Sequence, residues 1–569
     1  MVARRPARQQ AAVLRQIKNG NRMATAPPGS PSPLGAQGSV AGGSSHSIAE
    51  TFDQLERDFV VVQSSPPAET LAISGGTFVT PGATGSLPVL AHLPAAPPGF
   101  LGDRSFRDDY EVSLAYVAGA MANGIASVEL VTALARARIL SFFGAAGLTI
   151  EEVARALDRL APLGELPYGV NLIHAPGEPR VERDLVDLVL ARGVRAAEAS
   201  AFLDLTPAIV KFRVTGVRRG PDGVPIPARR LMAKVSRREV ARRFLSPPPT
   251  EILDALLRDR AITADEHTLA RHLPMCDDLT AEADSGGHTD NRPLVTLLPS
   301  LIALRDEISQ REGYPRAPRV GAAGGIGTPW AAHAAFSLGA AYVVVGSVHQ
   351  SCLEAGTSDA VRRLLAVSES TDVAMAPAAD MFEMGVELQV LRRGTMFSMR
   401  ARQLYELYRR YPSWEQIPAA DQSKVEKTHF RDSFDAVWEH TRTFFLARDP
   451  DQVARADSDP KHKLALVFRW YLGLSSAWAN RGDPERTLDY QIWCGPAMGA
   501  FNEWVRGSAF EAPENRRVVD VATALMDGAA RVSRADLLRR AGLALPSGVP
   551  DLRPRPNPID SPAPARTHS

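Results

Sequence analysis

Cysteine and long apolar runs are both scarce in this 569-residue sequence. Its three cysteines, Cys276, Cys352 and Cys494, lie far apart, and this spacing fits neither a disulfide framework nor a zinc site. So few cysteines are typical of a reducing compartment, and the predicted location is the cytoplasm. No uninterrupted apolar run approaches the ~18 residues that span a bilayer, and the first residues lack the apolar segment of a signal peptide. The sequence therefore predicts no metal site and no place in the membrane.

An excess of charge of one sign is also missing. The chain has 65 Lys and Arg residues against 64 Asp and Glu residues, for a formal net charge of +1. This balance gives no support for nucleic-acid binding as a main role. With 45% hydrophobic and 23% charged residues, the composition is that of a globular protein. The length is too great for one ordinary domain, so we expect more than one.

Both ends of the sequence are poor in residues that build a core. Residues 1–48 contain six Arg or Lys and no acidic residue, and they are rich in Ala, Gly, Ser and Pro. We interpret them as a disordered leader or linker, because such a composition cannot bury enough apolar surface to order itself. Residues 546–569 contain seven prolines, which predicts a disordered tail.

The regions on either side of the centre differ in pattern. Residues 49–107 hold short apolar runs broken by Pro and Gly, which predicts a small β-rich unit. Residues 401–545 show the apolar spacing of helices and hold six tryptophans. We predict a helical C-terminal region whose aromatic residues serve as core and as a layer over the site of the neighbouring domain.

Residues 108–400 alternate short apolar runs with helical stretches. One helix is predicted after Thr149, whose capping box closes with Glu152, and another ends at Gly193. An insertion over about 244–274 interrupts the alternation after the fifth run. Eight strand candidates with intervening helices predict an α/β fold, a (β/α)8 TIM barrel, rather than an open sheet. The candidates are LAYVAGA (114–120), ILSFFGA (139–145), YGVNLI (168–173), GVRAAEAS (193–200), LMAKVS (231–236), DLTAEA (278–283), RVGAAGG (319–325) and AYVVVGS (341–347).

The last two strand candidates end in glycine-containing turns. AAGG (322–325) closes the seventh and GS (346–347) closes the eighth. In a (β/α)8 barrel the site lies at the carboxyl ends of the strands, and a phosphate often sits after the last two. Glycine lets the backbone approach a ligand closely, and the N–H groups of such turns favour an anion. We therefore predict a cradle for a phosphorylated cofactor, with a plain tight loop as the alternative.

Polar residues or glycines also end other strand candidates, namely GAMANG (119–124), Asn171, Lys234 and EADSGGHTDN (282–291). A flat flavin ring fits this set, because small residues allow close approach and the Asn171 amide can meet an imide edge with a donor and an acceptor. Lys234 would place positive charge where a reduced flavin accumulates negative charge. His288 follows two glycines and is predicted to transfer a proton.

Each of these residues also has a purely structural interpretation. Asn171 alone is typical of a turn, Lys234 of a solvated strand end, and His288 of a hydrogen-bonded loop. Asp284 and Asp290 are either a pair of acids or ordinary loop caps. The coincidence of suitable groups at five strand ends favours the flavin site.

Several strings resemble a known group of flavin-dependent enzymes. PYGVNLI, EADSGGH, GAAGGI and VGS are similar to strings of the group that holds nitronate monooxygenases and flavin-type bacterial enoyl-acyl-carrier-protein reductases. Longer strings, among them EADSGGHTDNRPLVTLLP, MAPAADMFEMGVELQVLRRGTMF and DYQIWCGPAMGAFNEW, resemble the PfaD family. Its members are trans-acting enoyl reductases of polyunsaturated-fatty-acid synthases and trans-acyltransferase polyketide synthases. The resemblance covers about 110–540.

The resemblance implies an FMN-bound, NADPH-dependent oxidoreductase that reduces the 2,3 double bond of enoyl thioesters on an acyl carrier protein. It would act in trans with polyketide or fatty acid synthase modules, without nucleic acid or membrane. His288 would be the catalytic residue, as an acid or a substrate-orienting group. The implied cofactor-binding residues are Met121 and Asn123 in the first loop, Asn171 and Lys234 at the ring edge, Gly287 beside His288, and Ala323, Gly324, Gly325, Gly346 and Ser347 in the phosphate cradle.

Two other functions stay open at this point. A nitronate monooxygenase-like flavin oxidase would use the same cradle and His288, but the long helical C-terminal region argues against it. A catalytically silent flavin-binding synthase component is disfavoured by the intact SGGHTDN string. An inosine-phosphate-dehydrogenase-like barrel needs a cysteine on a barrel loop, and neither Cys352 nor Cys276 suits that position. The acyl chain and the oligomeric state, a homodimer included, also stay open.

Overall fold

The computed structural model describes residues 39–64 and 69–554. The chain divides into two compact units. Of the described residues, the smaller unit holds 39–64, 69–95 and 534–549, and the larger one holds 96–533 and 550–554. Across the described ranges, no helix combines the length and the apolar character that crossing a membrane requires.

An antiparallel sheet builds the smaller unit. Its strands are β1 (Ser39–Ala41), β2 (Ser44–Ser47), β3 (Phe59–Gln63), β4 (Thr70–Ser74), β5 (Thr77–Val79) and β6 (Leu87–Leu93). They lie in the order β2, β4, β3, β6, β1, β5. The predicted β-rich N-terminal unit is thus confirmed.

The limits of this unit differ from the predicted ones at both ends. β1 and β2 lie within the residues that the sequence predicts as a disordered leader. Gly42 and Gly43, with positive φ angles of 71° and 89°, turn the chain between these strands, and β1 pairs with β5 while β2 pairs with β4. The end of the predicted helical region also belongs here. The buried guanidinium of Arg534 donates to carbonyl oxygens of the smaller unit, among them that of Pro94 at 2.9 Å. The rest of the predicted leader and most of the predicted tail lie outside the described residues.

The strands of the larger unit are β7 (Tyr116–Ala118), β8 (Leu140–Phe143), β9 (Gly169–Ile173), β10 (Ala196–Ser200), β11 (Arg218–Arg219), β12 (Pro225–Ile226), β13 (Arg230–Val235), β14 (Asp278–Glu282), β15 (Gly287–His288), β16 (Arg319–Ala323), β17 (Val343–Val345), β18 (Val373–Pro377) and β19 (Glu387–Leu391). A closed barrel runs through β7, β8, β9, β10, β13, β14, β16 and β17, and all neighbours are parallel. Each predicted strand candidate supplies one of these strands, so the (β/α)8 barrel is confirmed. Outside it, β11 pairs with β12, and β15, β19 and β18 form a small antiparallel sheet.

Helices connect the barrel strands and form the C-terminal part of the larger unit. Thr149 and Glu152 make the predicted capping box, and Gly193, with a φ of 68°, follows the next helix. The helices are α1 (Arg104–Tyr110), α2 (Val128–Arg136), α3 (Ile150–Leu160), α4 (Pro179–Ala191), α5 (Pro207–Val214), α6 (Arg238–Leu245), α7 (Thr250–Arg258), α8 (Ala264–Ala270), α9 (Leu294–Glu312), α10 (Pro329–Ser337), α11 (Ser347–Gln350), α12 (Asp359–Ala366), α13 (Phe397–Arg410), α14 (Ala419–Val425), α15 (Phe434–Arg448), α16 (Pro450–Ser458), α17 (Pro460–Arg481), α18 (Ala497–Val505) and α19 (Val518–Arg540). The predicted insertion holds the end of α6 and the whole of α7 and α8.

A buried ion pair and helix α1 fill the amino end of the barrel. Nε of Arg319, the first residue of β16, lies 2.6 Å from Oδ1 of Asp278, the first residue of β14. The Tyr110 hydroxyl donates to the same carboxylate at 2.7 Å. Phe106 of α1 stacks on Tyr342 with ring centroids 4.5 Å apart. Because this end is packed, the open space of the barrel lies at the carboxyl ends of the strands.

Candidate active site

A cavity of about 870 Å³ lies at the carboxyl ends of the barrel strands. Loops that follow the strands line it together with helices of the C-terminal region. Every residue that the sequence predicts as catalytic or cofactor-binding lines this cavity, and their individual roles stay predictions. These residues are Met121, Asn123, Asn171, Lys234, Gly287, His288, Ala323, Gly324, Gly325, Gly346 and Ser347.

The glycine turns after β16 and β17 present bare backbone to the cavity. Gly324 and Gly325 take positive φ angles of 88° and 72°, which favour glycine. At Gly324 an added Cβ would lie 2.6 Å from the carbonyl carbon of Ala283, so this turn leaves no room for a side chain. At Gly325 and Gly346 an added Cβ would meet open space, and no hydrogen bond within the described residues uses their N–H groups. Free N–H groups on an open turn are the donors that an anion requires.

Asn171 lies in β9 with only 4% of its surface exposed. Its amide nitrogen donates to the carbonyl oxygen of Glu198 and to the hydroxyl of Ser200, both at 3.0 Å. These two bonds use both amide hydrogens of Asn171. The amide therefore has no hydrogen left to donate to a flavin ring, contrary to the predicted contact through both a donor and an acceptor. The side-chain oxygen has no partner among the residues that the structure describes, and it is free to accept a hydrogen bond from a ligand.

Lys234 in β13 lies between two carboxylates. Its Nζ is 3.3 Å from Glu282 and 3.8 Å from Glu198. Burial alone would lower the pKa of Lys234, but attraction to the two carboxylates outweighs burial and raises this pKa, so the ammonium group is charged. Burial raises the pKa of Glu198 against the attraction of Lys234.

The sequence does not predict the role of Glu198, which is buried beside Lys234 and does not itself line the cavity. One of its carboxylate oxygens accepts from the N–H of Ala120 at 2.9 Å, and the other is buried without a hydrogen-bond partner. One signal in the sequence could have indicated this role. Glu198 is the single acidic residue in the apolar strand AAEAS, and a buried charge requires a partner of opposite charge or a hydrogen bond.

His288 lies in β15, outside the barrel sheet. Its Nε2 is 3.1 Å from Oδ1 of Asp380. Burial alone would lower the pKa of His288, and the nearby carboxylate outweighs burial and raises it. The imidazole in turn lowers the pKa of Asp380, against the opposite effect of burial. The sequence does not predict this pair, because the two residues are 92 positions apart and share no motif.

Asp284 and Asp290 flank this histidine in the chain but do not line the cavity. Asp290 pairs with Arg237, which donates to it at 2.8 Å and lowers the pKa of the carboxyl group to about 2. Asp284 accepts a hydrogen bond from the Gln389 amide at 2.8 Å. Both carboxylates are thus engaged by side chains outside the cavity, which argues against a catalytic pair of acids. In the part of the chain that the structure describes, neither accepts a backbone N–H as a loop cap would.

Helices α15 and α17 and the segment before α18 form part of the cavity wall. The amide of Asn123 donates to the hydroxyl of Ser476 in α17 at 2.6 Å. The hydroxyl of Ser347 accepts from the N–H of Gly495 at 3.1 Å. Two residues of the predicted cofactor site are thus held by the helical region, and the predicted layer over the barrel also orders the loops beneath it.

Ion pairs strengthen the attachment of this wall to the barrel. Nε of Arg448 in α15 lies 2.5 Å from Glu178, which directly precedes α4. Arg469 in α17 contacts Glu178 at 3.6 Å and Glu383 at 3.4 Å. These pairs are partly buried, so solvent screens them less than it would on an open surface.

The protein is a (β/α)8 barrel with a cavity at the carboxyl ends of its strands, which is where proteins of this fold bind their ligands. The enoyl reductase domain of MlnA, from the macrolactin biosynthesis cluster of Bacillus amyloliquefaciens, is 37% identical, with a TM-score of 0.73 over 78% of this chain and 99% of that one. The chain belongs to the PfaD family.

The chain spans only part of the length of the curated relatives that it matches. A polyunsaturated fatty acid synthase component of a Thraustochytrium species is 47% identical over 449 residues, which are 78% of this chain and 30% of that protein. The polyketide biosynthesis protein PksE of Bacillus subtilis is 45% identical over 75% of this chain and 55% of its own length. The family model for the inserted helical domain of [acyl-carrier-protein] S-malonyltransferase matches residues 411–490, which include α15 and α16.

Proposed function

We propose that the protein is an FMN-dependent enoyl reductase that uses NADPH to reduce the 2,3 double bond of enoyl thioesters carried on an acyl carrier protein. One observation carries this proposal: a bare glycine cradle, a charged lysine and a histidine–aspartate pair converge on a single cavity. The names of the relatives support the substrate class, since they refer to an enoyl reductase domain and to fatty acid and polyketide biosynthesis. The partners would be carrier proteins and synthase modules, with the cytoplasm as the expected compartment.

The residues present fit FMN. The open backbone at Gly325 and Gly346 would receive the phosphate. The free oxygen of Asn171 would accept from the imide N–H of the ring, and Lys234 would face the side of the ring that becomes negative on reduction. The cavity volume of about 870 Å³ is in the range of ligand pockets.

The chain's own residues would orient the substrate and supply charge and a proton. When bound, FMN supplies the hydride chemistry between NADPH and the β-carbon of the thioester. Lys234 keeps a fixed positive charge in the cavity. His288 holds a proton for the α-carbon, because Asp380 favours the charged imidazole. We assign NADPH and the substrate to the same opening, in turn.

The first prediction tests this function directly. The purified protein is expected to be yellow and to release flavin on denaturation. NADPH without oxygen is expected to bleach the flavin absorbance, and a carrier-bound enoyl thioester is expected to restore it. The value of kcat/KM is expected to be far higher for the carrier-bound thioester than for enoyl-CoA, because the carrier adds a binding surface.

Three outcomes would contradict the proposal or a part of it. A colourless protein that releases no flavin would remove the cofactor and with it the chemistry. Recovery of colour with oxygen, but not with any enoyl thioester, would indicate a flavin oxidase. Equal kcat/KM for carrier and CoA thioesters would argue against the carrier as natural partner.

Apolar side chains on four helices line the cavity, and we assign the acyl chain to them. Val153 of α3 and Leu185 of α4 are buried, and so is Phe445 of α15. Trp470 and Gly473 of α17 line the same space. An added Cβ at Gly473 would meet no atom within 4 Å, so this position leaves room along the wall.

The second prediction is that Gly473→Val shortens the acyl chain that the enzyme accepts. The valine side chain would occupy space that two methylenes of a long chain would use. At ~0.8 kcal/mol per buried methylene, kcat/KM for long chains is expected to fall about 15-fold, with little change for crotonyl thioesters. Kinetics over a series of chain lengths provide the measurement. The helix itself should tolerate the change, since valine has a higher helix propensity than glycine. A uniform loss at all lengths would place the acyl chain elsewhere.

A further inference from the structure

Asp380 contributes to the cavity from outside the barrel, in the segment between β18 and β19. Its Oδ1 lies 3.1 Å from Nε2 of His288. The two side chains keep 24% and 36% of their surfaces exposed, for His288 and Asp380 respectively, and both line the cavity. The contact is therefore open to the space that a substrate would occupy.

A small sheet holds His288, and Asp380 lies in the connection between two strands of the same sheet. β15 pairs with β19 through Gly287 opposite Gln389 and His288 opposite Leu388. β18, which leads into the Asp380 segment, pairs with the other edge of β19. The Gln389 amide also donates to the carbonyl oxygen of Ser285 at 2.8 Å. The strand of His288 and the two strands that flank the Asp380 segment thus belong to one hydrogen-bonded sheet.

The two nitrogens of His288 differ in their surroundings. Nε2 contacts Asp380, whereas Nδ1 has no partner among the described residues and is not sealed from the cavity. The charged groups that act on the ring are Asp380 and Glu282, which favour its protonated form, and Lys234, which opposes it. Burial also opposes protonation, and the balance still raises the pKa of His288.

We propose that Asp380 is the positioning residue of His288: it holds Nε2 and directs the Nδ1–H bond toward the α-carbon of the substrate. This role rests on the proposed function. Hydride addition at the β-carbon leaves an electron pair on the enolate of the thioester. That pair forms the new C–H bond at the α-carbon while the Nδ1–H bond breaks. The neutral imidazole then recovers a proton from water, and NADPH is the reductant consumed.

A test that needs no turnover measures the protonation of His288 itself. Diethyl pyrocarbonate modifies neutral imidazole, so the rate of His288 modification, followed by peptide mass spectrometry, rises with pH through the pKa of this residue. Asp380→Asn is expected to move the midpoint of this rise to lower pH, because the amide carries no charge. The matched control is Asp284→Asn, which removes one carboxylate charge from a residue that makes no hydrogen bond to His288 and keeps a side-chain oxygen that can accept from the Gln389 amide. It is expected to leave the midpoint in place. An unchanged midpoint in Asp380→Asn, and in Asp380→Ala as a second variant, would overturn the proposal.

The reaction supplies the second readout. In Asp380→Asn the flavin content and its reduction by NADPH are expected to match the wild type. Oxidation of the reduced enzyme by the enoyl thioester is expected to slow ~10-fold or more at neutral pH, and Asp380→Glu is expected to restore part of the rate. Equal rates in wild type and Asp380→Asn would overturn the positioning role even with a shifted midpoint. If instead the wild-type enzyme reduces no enoyl thioester, the proposed function fails, while the modification experiment still reports on the pair.

Discussion

Gly346→Val is expected to yield a folded protein that has lost its FMN. Gly346 has a φ of −119°, so valine can adopt this backbone without left-handed strain. An added Cβ meets no protein atom, and the new side chain would stand in the space proposed for the phosphate. Losing one or two charge-assisted hydrogen bonds of ~1.5–3 kcal/mol each weakens binding by about 10-fold at the lower limit and about 2 × 10⁴-fold at the upper limit. Flavin per protein, measured after denaturation of the purified variant, provides the check.

Gly346 is a better test position than Gly325, because a substitution there affects cofactor binding without also straining the backbone. Gly325 also faces open space, but its φ of 72° adds strain to any side chain, ~1–2 kcal/mol. A loss of flavin in Gly325→Val would therefore mix two causes. Gly473→Val is the matched control, because it places the same side chain in the same cavity on helix α17. Flavin retained in Gly346→Val, or lost equally in both variants, would show that the phosphate lies elsewhere.

The barrel could be predicted from the sequence because its signals are local. Each strand is a short apolar run, and the helices between carry caps such as Thr149 with Glu152. Once the strand ends are known, the barrel topology brings them together, and this is why Asn171, Lys234 and Gly325 could be expected around one site. Their spacing in the sequence carries no such information by itself.

The remaining parts of the site depend on contacts that only the folded chain makes. Asp380 contacts His288 beside a small sheet, and no apolar periodicity in the sequence predicts that sheet. Glu198 lies inside an apolar strand, and only the folded structure shows that Lys234 is the partner of its carboxylate. Arg534 belongs to the smaller unit, where it donates to carbonyl oxygens such as that of Pro94, and the helical pattern of its own segment does not predict these partners. In each case the partner lies far away in the sequence.

His288→Ala is expected to leave the flavin bound and its reduction by NADPH nearly intact, and to slow the second half-reaction. A positioned acid contributes ~10²–10⁴-fold, or about 2.7–5.5 kcal/mol of activation free energy. The rate in the wild type is also expected to fall as pH rises through the pKa of His288. This pKa is raised by Asp380, so the protonated, active form persists to higher pH than for an ordinary histidine.

Stopped-flow absorbance separates the two half-reactions of this variant. His440→Ala is the control, because His440 also lines the cavity, on α15, but forms no hydrogen bond with the described residues. Both half-reactions of this control are expected to match the wild type. A normal second half-reaction in His288→Ala would leave the histidine as a loop residue and assign the proton to water. Loss of FMN in that variant would instead make His288 a support for the cofactor. Only a slow second step with flavin retained agrees with an acid held by Asp380, since the carboxylate acts on the ring and not on the glycine cradle.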